Sequence, residues 1–350
     1  MDVLQIRILT KLGSFHFAKF LYLYGRNSPK HRDSEYDPVQ FHSLSDYAVS
    51  SFLLNAEPYH SAFLSYHNEP NYADVLIKNT LDGIGKWDKS KSVEQRSAVI
   101  TEGSAFLVMY LHLVAEINHA VKVCRDEGED TEYKQMHPWD MVAAFTIGSL
   151  EGPEEGGSTH TEDGQMAWGL ATRRGYQFQT SNRRGYADVN SDLEDLLFAG
   201  KGEIDALQCD VFEKTAEDIN KKIMVPLLQS VLKYAISGVN LPADSSSADV
   251  ALGEVFALAV IPIVKLYDEA AAEILEENMI THSGIKPVRG GAQQVADAVG
   301  SAASTMGISP KELGSTPEAD PSALYSGSSS LASGYFLSSA IAVGMLIFLL

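Results

Sequence analysis

The chain has 350 residues, 45% of them apolar and 21% charged, a composition that folds around one large core or two modest ones. Its 27 Lys and Arg stand against 46 Asp and Glu, a net charge of −19. No basic run is long enough to track a phosphate backbone, which excludes a general nucleic-acid binder.

Residues 1–45 form an N-terminal extension. Met1 to Tyr24 is rich in apolar residues, but Arg7, Lys11, His16 and Lys19 interrupt them, so no clear secretory signal is present. Up to Asp33 the segment carries six Lys or Arg against Asp2 and Asp33, a local balance of +4 in an acidic chain. It reads as an ordinary helix or an incorrectly assigned start rather than an amphipathic transit sequence. No N-x-S/T acceptor occurs anywhere in the chain.

Residues 46–283 read as a helical domain. Apolar residues recur at three- and four-residue spacing in Ser97 to Cys124, Asp140 to Leu150, Asp192 to Ala199, Ile204 to Ser237 and Val250 to Met279, while strict alternation is scarce. The fold class expected is all-α, a multi-helix globular domain. His137-Pro138 should precede the Asp140 helix, and Pro226 and Pro262 should kink or break the two longest helices. Residues 284–330, rich in Gly, Ala, Ser and Pro, read as a flexible stalk.

Residues 331–350 are the hydrophobic end. The run YFLSSAIAVGMLIFLL, Tyr335 to Leu350, follows the small trio Ser326-Gly327-Ser328, the layout of a glycolipid-anchor signal with attachment at Ser326. The rival reading is a membrane helix, since Leu331 to Leu350 would just span a bilayer core of about 30 Å. A buried C-terminal helix is the third.

No catalytic signature of the G-x-S-x-G, G-x-G-x-x-G, Walker or H-E-x-x-H kind is present, so the chain is not expected to be an enzyme. Three constellations hold candidate ligands. His112, Glu116 and His119 share one helical face, with Glu116 and His119 in the E-x-x-H spacing of di-iron bundles; only one copy exists, and a polar helix face explains it as well. The loop Gly152 to Gly164 gathers Glu154, Glu155, His160, Glu162 and Asp163, suited to a hard cation or simply to water. Asp140 and Glu151 stand eleven residues apart, about 16 Å along a helix, so one ion would not touch both and each would need partners from other helices. Two basic pairs, Arg173-Arg174 and Arg183-Arg184, each have a tyrosine two residues on, Tyr176 and Tyr186. Phenolate and carboxylate ligands beside a guanidinium are what a ferric ion held with carbonate would require; surface ion pairing is the plainer alternative.

The stretch WDMVAAFTIGSLEG, Trp139 to Gly152, resembles the low-iron-inducible periplasmic proteins of algae, the group that includes the phytotransferrins. Pro58 to Gly83, Glu102 to Cys124, Leu197 to Ile204, Ile223 to Ala235 and Gly253 to Val264 agree in the same order, so the likeness covers roughly residues 55 to 285. It implies an extracellular or periplasmic protein that captures ferric iron without reducing it, with carbonate as synergistic anion. With the chemistry above, it makes Asp140, Glu151, His160, Tyr176 and Glu116 the candidate metal ligands and Arg173 and Arg174 the anion site. It also implies a Cys124–Cys209 disulfide. Family members often carry a cysteine pair in the segment matching Arg174 to Ser181, where this chain has Gly175 and Ser181, both absent together as if one bridge were lost as a unit.

The function expected is therefore ferric-iron binding in non-reductive iron assimilation, on the extracellular face of a plasma membrane or in a periplasm. The partners expected are a metal ion and, through the C-terminal segment, a membrane, with no nucleic acid. The alternatives are a structural or adhesion protein of the cell envelope and, more remotely, a metal-dependent hydrolase built on His112, Glu116 and His119.

Overall fold

The structure is a computed structural model that describes residues 1–30, 38–126, 132–148, 164–183, 185–282 and 284–315. Helices dominate and, among the described residues, no strand forms beyond two isolated bridges, so the all-α expectation holds.

Two short helices, α1 (Asp2–Lys11) and α2 (Phe15–Tyr24), open the chain, followed by α3 (Leu44–Ala48), α4 (Tyr59–His67) and α5 (Tyr72–Asp82). The segment 1–45 is thus folded onto the body: Val3, Ile6, Leu21 and Tyr22 are buried, and the Thr10 and Ser97 hydroxyls bond at 2.7 Å. Helix α6 (Val93–Gly103) starts at a capping box in which Ser92 and Gln95 satisfy each other's backbone N–H. It continues through a π-helical turn, Ser104–Met109, into α7 (Tyr110–Asp126), making one 34-residue rod. Then come α8 (Glu132–Ile147), α9 (Ala167–Gln177), α10 (Asp188–Asp205), α11 (Cys209–Gly238), α12 (Ala248–Tyr267), α13 (Glu269–Met279), α14 (Ala292–Thr305) and α15 (Pro310–Leu313). The α6–α7 rod and α12 are each long and apolar enough to cross a membrane, yet both lie largely buried inside the protein.

The two longest helices expected, α11 and α12, pack on one another at the centre. Neither breaks at its proline: Pro226 and Pro262 sit inside continuous helices. A proline withdraws one backbone donor, and the flanking buried side chains, Val225 and Leu227 in one case and Ile261 and Ile263 in the other, hold the rod in its packing. The interruption comes instead at Asp268, which is extended and accepts from the Ala271 backbone N–H as the cap of α13. Helix α8 likewise starts at Glu132 and passes through Pro138, so Asp140 lies within the helix rather than at its start.

The Cys124–Cys209 disulfide is present and ties the end of α7 to the start of α11. Part of the segment read as stalk is also folded. Helix α14 buries Val295, Val299 and Ala302, and Gln229 of α11 donates to the Leu313 carbonyl at 3.1 Å, so residues 292–313 belong to the helical body. Residues 316–350, with Ser326 and the apolar tail, lie outside the described residues.

Candidate functional site

Helix α9 presents Arg174 to the core. Its guanidinium is 3% exposed and makes three hydrogen bonds: Nε to Ser230 Oγ at 2.8 Å, Nη1 to Gln177 Oε1 at 2.7 Å and Nη2 to Tyr234 Oη at 3.4 Å. Ser230 donates in turn to the Pro226 carbonyl at 2.7 Å, which polarises its oxygen toward the arginine. The rings of Tyr234 and Phe256 flank the cation at 5.4 and 5.8 Å. Every partner is neutral. Among the described residues Arg174 has no carboxylate within ion-pair distance, an expensive state for a buried charge.

Other cations gather near it. Lys233 of α11 places Nζ 5.0 Å from the centre of the Tyr234 ring, which Arg174 also faces. Burial, and then the charge of Arg174, push the Lys233 ammonium down to about 7. Arg173 is half-buried and donates to the Gly164 carbonyl at 2.7 Å; burial and the nearby charges of Arg174 and Arg7 hold it below its ordinary range, against the pull of Glu102. Lys11, one turn beyond Arg7 on α1, is lowered by burial and by Arg7. Glu102 acts on Lys11, Arg173 and Lys233, and Asp249 on Lys233. Burial pushes the Tyr234 phenol up against the lowering by Arg174, and the same two carboxylates add to the rise. Five cations from α1, α9 and α11 therefore share one field with two carboxylates, although the chain as a whole is strongly acidic. Guanidinium groups are well shaped for oxyanions, and here all three nitrogens of Arg174 are engaged by neutral acceptors.

The remaining candidates are placed apart. Tyr176 is 74% exposed on α9, and Asp140 is exposed on α8. Glu116 lies on α7 beside His112, 3.4 Å from its Nε2. No group of three His, Cys, Asp or Glu side chains converges among the described residues. Glu151 and His160, with the acidic loop that holds them, lie outside those residues. Arg183 is exposed, Arg184 is outside the described residues, and Tyr186 donates to Glu194 at 3.2 Å.

The His112 constellation is enclosed by aromatic rings. Tyr47, Phe52 and Phe145 stand 4.4, 5.3 and 5.2 Å from the His112 ring, and its buried Nδ1 has no hydrogen-bond partner among the described residues. His119 faces Phe52 rather than His112. Burial, reinforced by Glu116, pushes the Tyr47 phenol up to about 12, so it stays protonated.

Several motif residues turn out to be packing devices. Trp139 is buried, donates to the Leu197 carbonyl at 3.0 Å and meets Phe212 edge-on. It lies so close to Gly200 that a side-chain carbon there would fall 2.3 Å from its ring. That contact joins two stretches, Trp139 to Gly152 and Leu197 to Ile204, that are far apart in sequence. Similarly, a Cβ on Gly175 would lie 2.7 Å from Ser181 Oγ, so these two positions are spatial neighbours.

Sequence reading missed Arg7, Lys11, Glu102, Lys233 and Asp249. The one local signal was Lys233, a lone charge in the apolar run from Ile223 to Ala235. No protein-family model, curated protein or solved structure matches this chain.

Proposed function

We propose that this protein binds a metal together with an oxyanion, ferric iron with carbonate being the pair implied by the resemblance to low-iron-inducible algal proteins, and that it serves non-reductive iron assimilation at a cell surface or in a periplasm. The observation that carries the reading is Arg174: a buried guanidinium satisfied, among the described residues, only by neutral groups, close to further cations in a chain of net charge −19. An anion seated there neutralises the cluster, and its remaining oxygens offer a hard cation an incomplete coordination shell. Ferric iron is cargo on this reading. Asp140, Tyr176 and Glu116, with Glu151 and His160 of the acidic loop, are the ligands proposed for it on chemistry and motif position. The geometry supports the anion half of the proposal further than the metal half.

The test is a titration of the purified chain with a ferric chelate, with and without bicarbonate. Tighter binding with bicarbonate, and loss of that difference in Arg174→Met, is the expected result. Ferric binding indifferent to bicarbonate would remove the anion mechanism. No ferric binding at all would leave the helical body as a scaffold, which is the structural or adhesion reading.

A further inference from the structure

Helices α1 and α2 have a second apolar face that no described residue covers. Their inner face is ordinary core, with Val3, Ile6, Ala18, Leu21 and Tyr22 buried. The outer face carries Ile8 (46% exposed), Leu12 (63%), Phe17 (64%), Phe20 (57%) and Tyr24 (60%). Ile8 and Leu12 are four residues apart on α1; Phe17, Phe20 and Tyr24 follow at three- and four-residue steps on α2, so each set lines one side of its helix. The Phe20 and Tyr24 rings touch at 4.9 Å. Five large apolar side chains within seventeen residues form a patch rather than the scattered exposure normal for a surface.

The hairpin is firmly held. Thr10 is bonded to Ser97, Lys19 reaches both oxygens of Asp82 at 2.7 and 2.8 Å, and Tyr22 donates to buried Asp74 at 3.1 Å. Its charge also differs from that of the rest. Residues 1–30 carry five Lys or Arg against Asp2 alone, a balance of +4, which leaves −23 on the remainder of the chain. Lys11 and Arg26 are exposed in the same segment.

We propose that the outer face of the α1–α2 hairpin docks on an anionic lipid surface, with Leu12, Phe17, Phe20 and Tyr24 entering the headgroup layer and Lys11 and Arg26 meeting lipid phosphates and carboxylates. Aromatic and leucine side chains with adjacent cations are the chemistry of an interfacial helix. Charge selects this occupant. Lys19 and Lys30 pair with Asp82 and Asp46, which leaves Arg7, Lys11 and Arg26 against Asp2; a negative surface attracts this +2 end and repels the acidic body, which fixes the orientation, whereas a second copy would set two like-charged faces together. The inference does not depend on iron, and Lys11 is the one cation it shares with the cluster around Arg174.

The test places a reporter in the face: full-length Phe20→Trp, mixed with vesicles of phosphatidylcholine alone or with phosphatidylserine. The expected result is a blue shift of the new emission and its quenching by brominated phosphatidylserine, both reversed by high salt. In the same background, Leu12→Ser with Phe17→Ser lowers vesicle partitioning by about tenfold or more. These sites are exposed, so the substitutions leave the core intact. Emission unchanged by vesicles, as for a chain held only through its apolar C-terminal run, overturns the proposal. So does an equal shift with both lipids, or a vesicle-independent shift that grows with protein concentration and reports a second copy.

Discussion

Two buried charges in this protein are handled in opposite ways. Glu254 of α12 is 3% exposed and closed off by cationic and neutral donors. Lys86 reaches its two oxygens at 2.6 and 2.7 Å, and Thr281 donates both its backbone N–H, at 3.1 Å, and its hydroxyl. Lys86 spends a further bond on the Thr281 carbonyl at 2.6 Å. Arg174 is equally buried but meets a serine, a glutamine and a tyrosine, with a second cation at the same ring. The Glu254 network balances its charge internally and has the character of structure. Among the described residues the Arg174 cluster holds more cations than carboxylates, and on the reading proposed above an incoming anion would complete it.

Substitutions separate the two cases. Lys86→Ala strands the Glu254 carboxylate and is expected to cost about 3 kcal/mol in urea unfolding. The double variant Lys86→Met with Glu254→Leu should recover much of that loss, because it removes both charges. Arg174→Met strands no carboxylate but leaves the Gln177 and Tyr234 oxygens without their donor, so its cost in the absence of anion should be about 1–2 kcal/mol, smaller than that of Lys86→Ala. An Arg174→Met loss as large as that of Lys86→Ala would make the arginine a structural element and erase the contrast.

Lys233 sharpens the comparison through pH. Its ammonium is pushed down to about 7 in the folded protein by burial and by Arg174, from 10.5 in an unperturbed lysine. Between those values the unfolded chain binds more protons than the folded one, so this group makes stability rise with pH from 7 toward 10.5; below 7 its full penalty applies. Lys233→Met should flatten that part of the stability profile. An anion favours the ammonium, so anion binding at pH 8 should take up a fraction of a proton, read by calorimetry in buffers of different ionisation enthalpy. The smallest effect expected is that of Tyr234→Phe, which loses one 3.4 Å hydrogen bond while keeping the ring. Its cost should be about 0.5 kcal/mol, with anion affinity only slightly reduced.

Much of the helical order was legible because helical periodicity survives in the long apolar runs. The run from Ser97 to Cys124 became the α6–α7 rod, and the apolar stripe starting at Val250 became α12 and α13. Prolines misled as helix ends, since Pro138, Pro226 and Pro262 all lie inside continuous helices. Composition misled at α14: its alanines and glycine suggested a stalk, but small residues between Val295 and Val299 let the helix pack closely. The anion cluster was half legible. Arg173 and Arg174 stood out as a basic pair, whereas Arg7, Glu102 and Lys233 are distributed over more than two hundred residues and meet only through the packing of α1, α6 and α11. The motif at Trp139 was visible as a motif, but its partner Gly200 became meaningful only once the indole was seen to lie on it.

The most direct measurement is a calorimetric titration of the full chain with bicarbonate near neutral pH, beside Arg174→Met. A saturable single-site heat from the native chain that vanishes in the variant is the predicted result. No heat from the native chain, or the same heat from both proteins, would contradict an anion site at Arg174.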